Sequence, residues 1–113
     1  MERDPNQGYA LTPDAVDWQP MSPGVEVARL HRNSLRDFGM MLLRMAPGAG
    51  APRHVHPEGE QYYVISGTIV DETGRHGPGS FVHHPPGSIH EPSSPEGALV
   101  LVTWFGRLRV YED

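Results

Sequence analysis

Residues 48–67, GAGAPRHVHPEGEQYYVISG, decide both the fold of this chain and the place of its chemistry. They set His54, His56 and Glu60 two and four residues apart. Successive side chains of a strand alternate between its two faces, so these even spacings predict that all three project to one side of an extended segment. Two imidazoles and a carboxylate suit a divalent first-row metal.

A second block, residues 79–94 (GSFVHHPPGSIHEPSS), supplies His90 as a candidate fourth ligand. Adjacent strands lie about 4.8 Å apart, so a pair of strands can surround one ion. We therefore predict that these three histidines and Glu60 bind one divalent transition metal, which could be Zn, Fe, Mn, Ni or Cu. Glu58 is the alternative carboxylate, but Pro57-Glu58-Gly59 is typical of a turn.

Both blocks resemble the sequence motifs of the cupin superfamily. Residues 48–67 match the first cupin motif throughout, and residues 79–94 match the second except at Ser94, where Asn is usual. The run LLRMAPGAGAPRHVHPEGEQYYVISG, the spacer GTIVDETGRHGPG and the Trp18…Pro23-Gly24-Val25 segment resemble the ChrR-like cupins, named for the C-terminal domain of an anti-sigma factor. This resemblance covers residues 18–104. It implies an all-β, single-domain cupin, an antiparallel double-stranded β-helix or jelly-roll barrel.

Composition favours the same architecture. The chain has 113 residues, a length typical of one domain, with 37% hydrophobic residues, 13 Gly and 12 Pro. Such a composition predicts short strands joined by tight turns. We expect an N-terminal arm over residues 1–17 and the barrel over residues 18–113. Alternating or apolar runs predict strands at 24–30, 37–45 (buried on both faces), 61–66, 68–70, 80–84, 98–105 (buried) and 107–111.

Turns and strand faces are also predicted. Residues 47–52 and 85–87 read as turns, and residues 71–74 as a hairpin tip. Counting from Glu60, the alternation places Tyr62, Val64 and Ser66 inside the barrel and residues 61, 63 and 65 outside. Gly67, Gly79 and Gly87 are interpreted as turn residues that supply a positive φ angle or a close backbone approach.

Several classes of function are excluded by what the sequence lacks. There is no Cys for a disulfide, a thiolate ligand or a Cys nucleophile, and all nine basic residues are Arg, so no Lys is present for Schiff-base chemistry. P-loop, dinucleotide-binding and nucleophile-elbow motifs do not occur. A net charge of −5 disfavours nucleic acid as a partner. No membrane-spanning run or signal peptide is recognisable, so we expect a cytoplasmic protein.

Beyond the metal ligands, Tyr62 and His84 are the candidate catalytic residues. Tyr62 is expected inside the barrel, where it could hydrogen-bond a substrate, although an aromatic ring that merely fills the barrel fits equally well. His83 and His84 must face opposite sides of a regular strand, so one of them could orient a ligand or accept a proton. Arg44 needs a partner if it is buried, and a structural ion pair is favoured over a substrate clamp.

Three functions remain open. The resemblance to ChrR-like and related cupins implies a mononuclear non-haem metal oxygenase that acts on a small enolisable or aromatic compound. The alternative is a non-catalytic zinc cupin that senses a ligand or redox state, or serves as a regulatory subunit. Direct binding of a sigma factor is disfavoured, because this chain lacks the cysteines of the ChrR zinc module and is too short to hold it. An isomerase or cyclase for a sugar or polyketide is the third. By resemblance we also expect a homodimer that binds a small molecule, with residues 107–111 as an edge that invites pairing.

Overall fold

The computed structural model describes residues 7–106 and the backbone of residues 109–110, and this part of the chain is all-β. The strands are β1 (Trp18–Ser22), β2 (Val25–Asn33), β3 (Phe38–Met45), β4 (Ala49–Gly50), β5 (His54–Val55), β6 (Glu60–Gly67), β7 (Ile69–Asp71), β8 (Gly74–His76), β9 (Phe81–His84), β10 (Ile89–His90), β11 (Ser93–Ser94), β12 (Ala98–Phe105) and β13 (Arg109–Val110). Within the described ranges, no helix has the length and hydropathy needed to cross a membrane.

The strands form three antiparallel sheets. One sheet has six strands in the order β1-β2-β3-β12-β6-β9, a second has the order β10-β5-β13, and a third has the order β4-β11-β7-β8. The long strands β3, β6 and β12 supply most of the buried core, which includes Leu43, Val64 and Val100, and Ile69 of β7 packs against it from the third sheet. The predicted jelly-roll architecture is confirmed.

Most predicted strands occur where the sequence placed them. β3, β6, β9 and β12 match their predicted positions within one residue, and β7 and β8 form the expected hairpin at residues 71–74. Several short elements were missed: β1 as a strand of its own, the two-residue β4 inside the predicted turn 47–52, and the strands β8, β10 and β11. Burial of β3 on both faces is wrong, because its side chains include exposed and partly exposed ones between the buried ones. β12, predicted as a buried strand, buries Val100 and Val102, and its other residues are partly or fully exposed.

Arg44 shows the alternation on β3. Its guanidinium is exposed, pairs with Glu26 at 2.9 Å and lies 3.9 Å from the centre of the Trp18 ring. The favoured interpretation of Arg44 as a member of a structural ion pair therefore holds, on the outer surface of the sheet.

A β-bulge changes the predicted facing of β6. Tyr62 and Val64 point inward as expected, but Ser66 is exposed. The register with β12 shifts between Leu99 and Val100, whose partners are Ser66 and Val64, so Ile65 is the extra residue. An extra residue reverses the alternation beyond it. The prediction that Ser66 lies inside the barrel is therefore wrong.

The three predicted turn glycines all adopt positive φ angles. The values are 76° for Gly67, 86° for Gly79 and 83° for Gly87. At Gly67 a side chain would also collide with the backbone of Gly97. A residue with a Cβ is excluded there on both grounds.

The two chain ends lie partly outside the description. Residues 1–6 of the predicted arm and residues 107, 108 and 111 of the last predicted strand lie outside the described residues. Within the described part of the arm, the Tyr9 hydroxyl donates to the Leu30 carbonyl at 2.6 Å. β13 pairs with β5. The domain division at residue 17 and the homodimer stay predictions.

Candidate metal centre

Four ligand-type side chains meet in the interior of the barrel. His54 lies on β5, directly opposite His90 on β10. Glu60 begins β6, and His56 lies in the connection between β5 and β6. All four residues are buried, and one ligand atom from each lies within 4.8 Å of the others. The structure thus brings together the whole predicted ligand set in an arrangement that could hold one ion.

The physical reason for this convergence differs from the prediction. Residues 54–60 do not form one extended strand, because β5 ends at Val55 and the chain then turns. The turn is closed by the Gly59 N–H, which donates to the His56 carbonyl at 3.0 Å. A turn, not strand alternation, brings Glu60 back to the two histidines, so the single-strand expectation is wrong. Glu58, in the same turn, is exposed.

The Glu60 carboxylate is the centre of the polar contacts. Its Oε2 atom pairs closely with His56 Nε2 and lies 3.8 Å from His54 Nε2. Its Oε1 atom lies 3.4 Å from His90 Nε2. The Nε2 atoms of all three imidazoles therefore face one carboxylate. These three nitrogens, together with the carboxylate, are the atoms that could ligate a cation.

The hydrogen bonding around the cluster fits a metal. His54 Nδ1 donates to the Pro52 carbonyl at 2.6 Å, which fixes the tautomer and leaves the Nε2 lone pair free. His90 is 2% exposed, and neither of its ring nitrogens has a hydrogen-bond partner among the described residues. An unpaired buried polar group costs about 1–3 kcal/mol. An ion at this position would satisfy the His90 Nε2 atom.

The electrostatics of the four residues favour a charged carboxylate and a neutral His90. Burial by itself raises the pKa of Glu60, but the imidazoles of His54 and His56 outweigh it and lower the pKa to about 2. Burial lowers the pKa of His90 to about 4. For His54, burial also acts to lower the pKa, but Glu60 and the Pro52 carbonyl more than compensate, so it is raised.

A second polar group adjoins the first through His90. Tyr62 donates its hydroxyl hydrogen to Asp71 Oδ2 at 2.6 Å, and His84 Nε2 lies 3.0 Å from the same oxygen. Thr73 donates its backbone N–H to the other oxygen of Asp71 at 2.8 Å. The His84 and His90 ring centroids are 4.2 Å apart. Asp71, His84 and His90 also place ligand atoms within 4.8 Å of one another.

Asp71 sets the charge states of this second group. Burial raises the pKa of its carboxyl, yet the hydrogen bonds from His84, Thr73 and Tyr62 dominate and hold it well below its usual range. The hydrogen bond to Asp71 raises the pKa of His84. Burial, followed by the bond to Asp71, raises the pKa of Tyr62. Asp71 is therefore an anion that holds a neutral phenol and a readily protonated imidazole.

Sequence reasoning missed Asp71 and placed its neighbours correctly. Residues 71–74 do form the hairpin tip, but Asp71 is also the last residue of β7, and its carboxylate is fully buried. Tyr62 is buried and faces inward, and His84 is buried while His83 is exposed, as the opposite-face prediction requires. The signal available in the sequence was a carboxylate, Asp71, directly after the apolar residues Ile69 and Val70.

A cavity of about 170 Å³ adjoins the four residues. Its wall is mostly apolar, with His54, His56, Glu60 and His90 contributing the polar part. The remaining lining residues are Met21, Met41, Leu43, Met45, Ala51, Pro52, Tyr62, Ile69, Pro92, Val100 and Val102. For scale, an apolar cavity of about 150 Å³ holds one benzene molecule. The space beside the cluster therefore suits a small, largely apolar molecule.

Comparison with protein families decides the affiliation of the chain. Residues 6–109 match the ChrR Cupin-like domain family. The chain belongs to this family. No curated protein sequence matches this ChrR-type cupin significantly.

Solved structures share the fold of this cupin. An RmlC-like cupin from Ralstonia eutropha JMP134 aligns with a TM-score of 0.84 and 22% identity, over 95% of this chain and 74% of the other. An acetylacetone dioxygenase from Acinetobacter johnsonii aligns with a TM-score of 0.85 and 15% identity, over 100% of this chain and 83% of the other.

The anti-sigma factor ChrR is also similar to this cupin. In its complex with SigE from Rhodobacter sphaeroides, it aligns with a TM-score of 0.73 and 25% identity over 82% of this chain. The alignment covers 51% of the ChrR chain, so this cupin spans about half of that protein.

The departure from the second cupin motif at Ser94 has a structural explanation. Ser94 is fully buried, and its hydroxyl donates to the Thr68 carbonyl at 2.5 Å. Its own carbonyl accepts the Gly48 N–H at 2.8 Å. In this cupin Ser94 therefore links β11 to the residues just before β4 and β7. These hydrogen bonds supplement the short strand pairing of β4 and β11, which have only two residues each.

Proposed function

We propose that this protein binds one divalent first-row metal ion through His54, His56, Glu60 and His90. The supporting observation is the convergence of three Nε2 atoms on a buried carboxylate, with no hydrogen-bond partner for His90 among the described residues. The ligand types suit zinc, iron, manganese, nickel or copper. One ion per chain is the expected stoichiometry.

We further propose that the metal-loaded protein is an oxygenase for a small enolisable or aromatic compound. The apolar cavity of about 170 Å³ has its polar groups concentrated at the four proposed ligands. A substrate that fits must therefore present a chelating polar end to the ion and an apolar body to the remaining wall. The fold similarity to an acetylacetone dioxygenase is consistent with this proposal.

Each polar residue has a distinct part in the proposed mechanism. A bound ion would supply Lewis acidity that lowers the pKa of a chelating substrate, and a redox-active ion such as iron would also supply the electrons that dioxygen needs. Glu60 stays ionised, since its pKa is about 2, and provides negative charge against the cation. Tyr62 lines the cavity, and because its hydrogen is donated to Asp71, its hydroxyl oxygen can accept a hydrogen bond from substrate. Asp71 orients that hydroxyl and holds His84 against the His90 ring.

Oxygen uptake tests the oxygenase. Iron-loaded protein is mixed with β-diketones and with hydroxyacetophenones in air-saturated buffer, and uptake is followed with an electrode. We expect uptake to depend on substrate and to disappear in Glu60→Gln, while His83→Gln, an exposed histidine next to His84, behaves as the parent does. Absence of uptake with all of these substrates would contradict the oxygenase proposal.

The second candidate is a non-catalytic zinc cupin that responds to a ligand. The 25% identity to ChrR favours it, and four protein ligands complete the tetrahedral geometry that zinc adopts in structural sites. Metal analysis of protein purified without added metal separates the two candidates. Stoichiometric zinc that resists exchange favours the regulatory protein, whereas iron, or zinc that exchanges readily for iron, favours the oxygenase.

A further inference from the structure

Met21 is the most exposed of the residues that line the cavity, of which Met41 and Pro52 are partly exposed. The buried wall residues have small exposed fractions, such as 8% for Leu43, 4% for Met45 and 2% for Val100, whereas Met21 is 37% exposed. A residue that lines a cavity and is also open to solvent marks the place where the cavity meets the surface. Met21 therefore occupies the mouth.

A backbone irregularity aims this side chain. β1 pairs with β2 through Pro20↔Glu26 and Ser22↔Val25, so Met21 has no partner and forms a β-bulge on an edge strand. Bulges re-aim a side chain relative to the regular alternation of a strand. Glu26 faces the outer surface with Arg44, and Val25 faces the core. Pro20, opposite Glu26, therefore lies on the outer face, and Ser22, opposite Val25, lies on the inner face. Met21 is the extra residue between them, and its side chain lines the cavity.

Met21 also borders a groove on the surface. The N-terminal segment, β1 and β2 form this groove. Its lining combines apolar residues, among them Leu11, Val27 and Leu30 as well as Met21, with charged residues such as Asp17, Arg29 and Arg32. The Met21 side chain thus lines both the groove and the cavity beside the proposed metal ligands. Methionine is unbranched and has three rotatable bonds, so it can change rotamer without moving the backbone.

We propose that Met21 is the gate of the cavity and limits the size of the molecules that enter it. The closed rotamer covers the mouth, and an apolar ligand enters from the N-terminal groove when the side chain swings aside. The inference rests on the proposed function only for the identity of the natural ligand. The gate itself concerns any small apolar molecule that reaches the cavity, with or without an ion.

Exchange kinetics in four proteins test the gate. The proteins are the parent, Met21→Ala, Met21→Phe and the control Met40→Ala, which alters a partly exposed methionine on β3 that does not line the cavity. Exchange of fluorobenzene with metal-free protein is measured by ¹⁹F NMR line shapes. We expect roughly tenfold faster exchange in Met21→Ala and roughly tenfold slower exchange in Met21→Phe, each a change of about 1.4 kcal/mol in the barrier. Met40→Ala should match the parent.

The outcomes separate the gate from the proposed function. Exchange rates within about twofold of the parent in both Met21 variants would overturn the gate, and so would a failure of fluorobenzene to bind any of the four proteins. The proposed function is tested in parallel by adding acetylacetone to cobalt-loaded parent and recording the visible spectrum. If that spectrum does not change while the fluorobenzene exchange rate varies with the residue at position 21 as expected, the gate is supported and the proposal of a chelating substrate is not.

Discussion

His54 and His90 face each other on β5 and β10, and their imidazole centroids lie 4.2 Å apart. The His54 ring is held by the Pro52 carbonyl, whereas His90 has no hydrogen-bond partner among the described residues. Two buried imidazoles this close repel each other when both are protonated. The pair therefore favours at least one neutral ring with an available lone pair, which is the form that binds a cation.

Replacing His90 should weaken metal binding far more than replacing an exposed histidine. In His90→Gln one of four proposed ligands is lost, and we expect zinc affinity to fall by at least about 100-fold, the upper end of what outer-shell changes cause. Isothermal titration of metal-free protein with zinc measures the change. His83→Gln is the control, because His83 faces away from the site. Equal zinc affinities of His90→Gln and the parent would refute the ligand assignment.

The stability of metal-free protein should fall as the pH drops through the range set by His90. The pKa of His90 is about 4 in the folded protein against 6.5 for the free side chain, so the unfolded chain takes up the proton first. The free energy of unfolding is therefore unaffected by His90 above pH 6.5 and falls by roughly 3 kcal/mol between pH 6.5 and about 4. His54 and His84, whose pKa values are raised, act in the opposite direction, so a single-site comparison is needed.

That comparison is urea unfolding of the parent and His90→Gln in a chelating buffer at several pH values. The parent should lose stability more steeply than the variant between neutral pH and pH 4. Glu60 adds a loss only below its ordinary pKa of 4.5, because its pKa in the folded protein is about 2. Parallel curves for the two proteins would show that His90 is not held neutral by burial.

Removing the charge of Asp71 should lower the pKa of His84. The hydrogen bond to Asp71 is the main cause of the raised value, and an amide in its place carries no charge to favour the protonated ring. In Asp71→Asn, NMR titration of the His84 ring carbons in metal-free protein should therefore give a lower midpoint than in the parent. Asp14→Asn, which alters an exposed carboxylate in the N-terminal segment, should leave the midpoint in place. An unchanged His84 midpoint in Asp71→Asn would mean that the pairing does not persist in solution.

Ser94→Ala should destabilise the protein by about 1–2 kcal/mol, because the Thr68 carbonyl loses its buried donor. Ser93→Ala is a matched control on the same two-residue strand, and Ser93 is exposed. Urea unfolding of both variants and the parent measures the difference. If the two variants were equally stable, the hydroxyl of Ser94 would have no structural role.

The sequence predicted the long strands and the convergence of the four proposed ligands because both depend on local patterns. β12 is a continuous run of apolar and β-branched residues, and its predicted bounds match the observed Ala98–Phe105. The ligands follow a motif whose turn lies at residues 57–59. The even spacing of His54, His56 and Glu60 predicted that their side chains converge, which they do, but for a wrong reason, since a turn aligns them and strand alternation does not.

Features that depend on distant partners could not be predicted. The bulge at Ile65 arises from the register with β12, more than thirty residues away, and the bulge at Met21 arises from pairing with β2. Asp71 acquires its role from Tyr62 and His84, which β6 and β9 bring to it. In each case the tertiary contact, not the local sequence, determines where the side chain points.

The proposed ligands belong to different sheets, so a bound ion would connect those sheets. His54 and His90 come from the three-stranded sheet and Glu60 from the six-stranded one. A partly assembled chain can present His54, His56 and Glu60, which are neighbours in sequence, but His90 arrives only when β10 has joined β5. Full ion capture would then be a late event in maturation. Substitutions far from the site that weaken the packing between the two sheets should lower metal affinity before they unfold the chain. Metal content would then report whether the two sheets are correctly assembled.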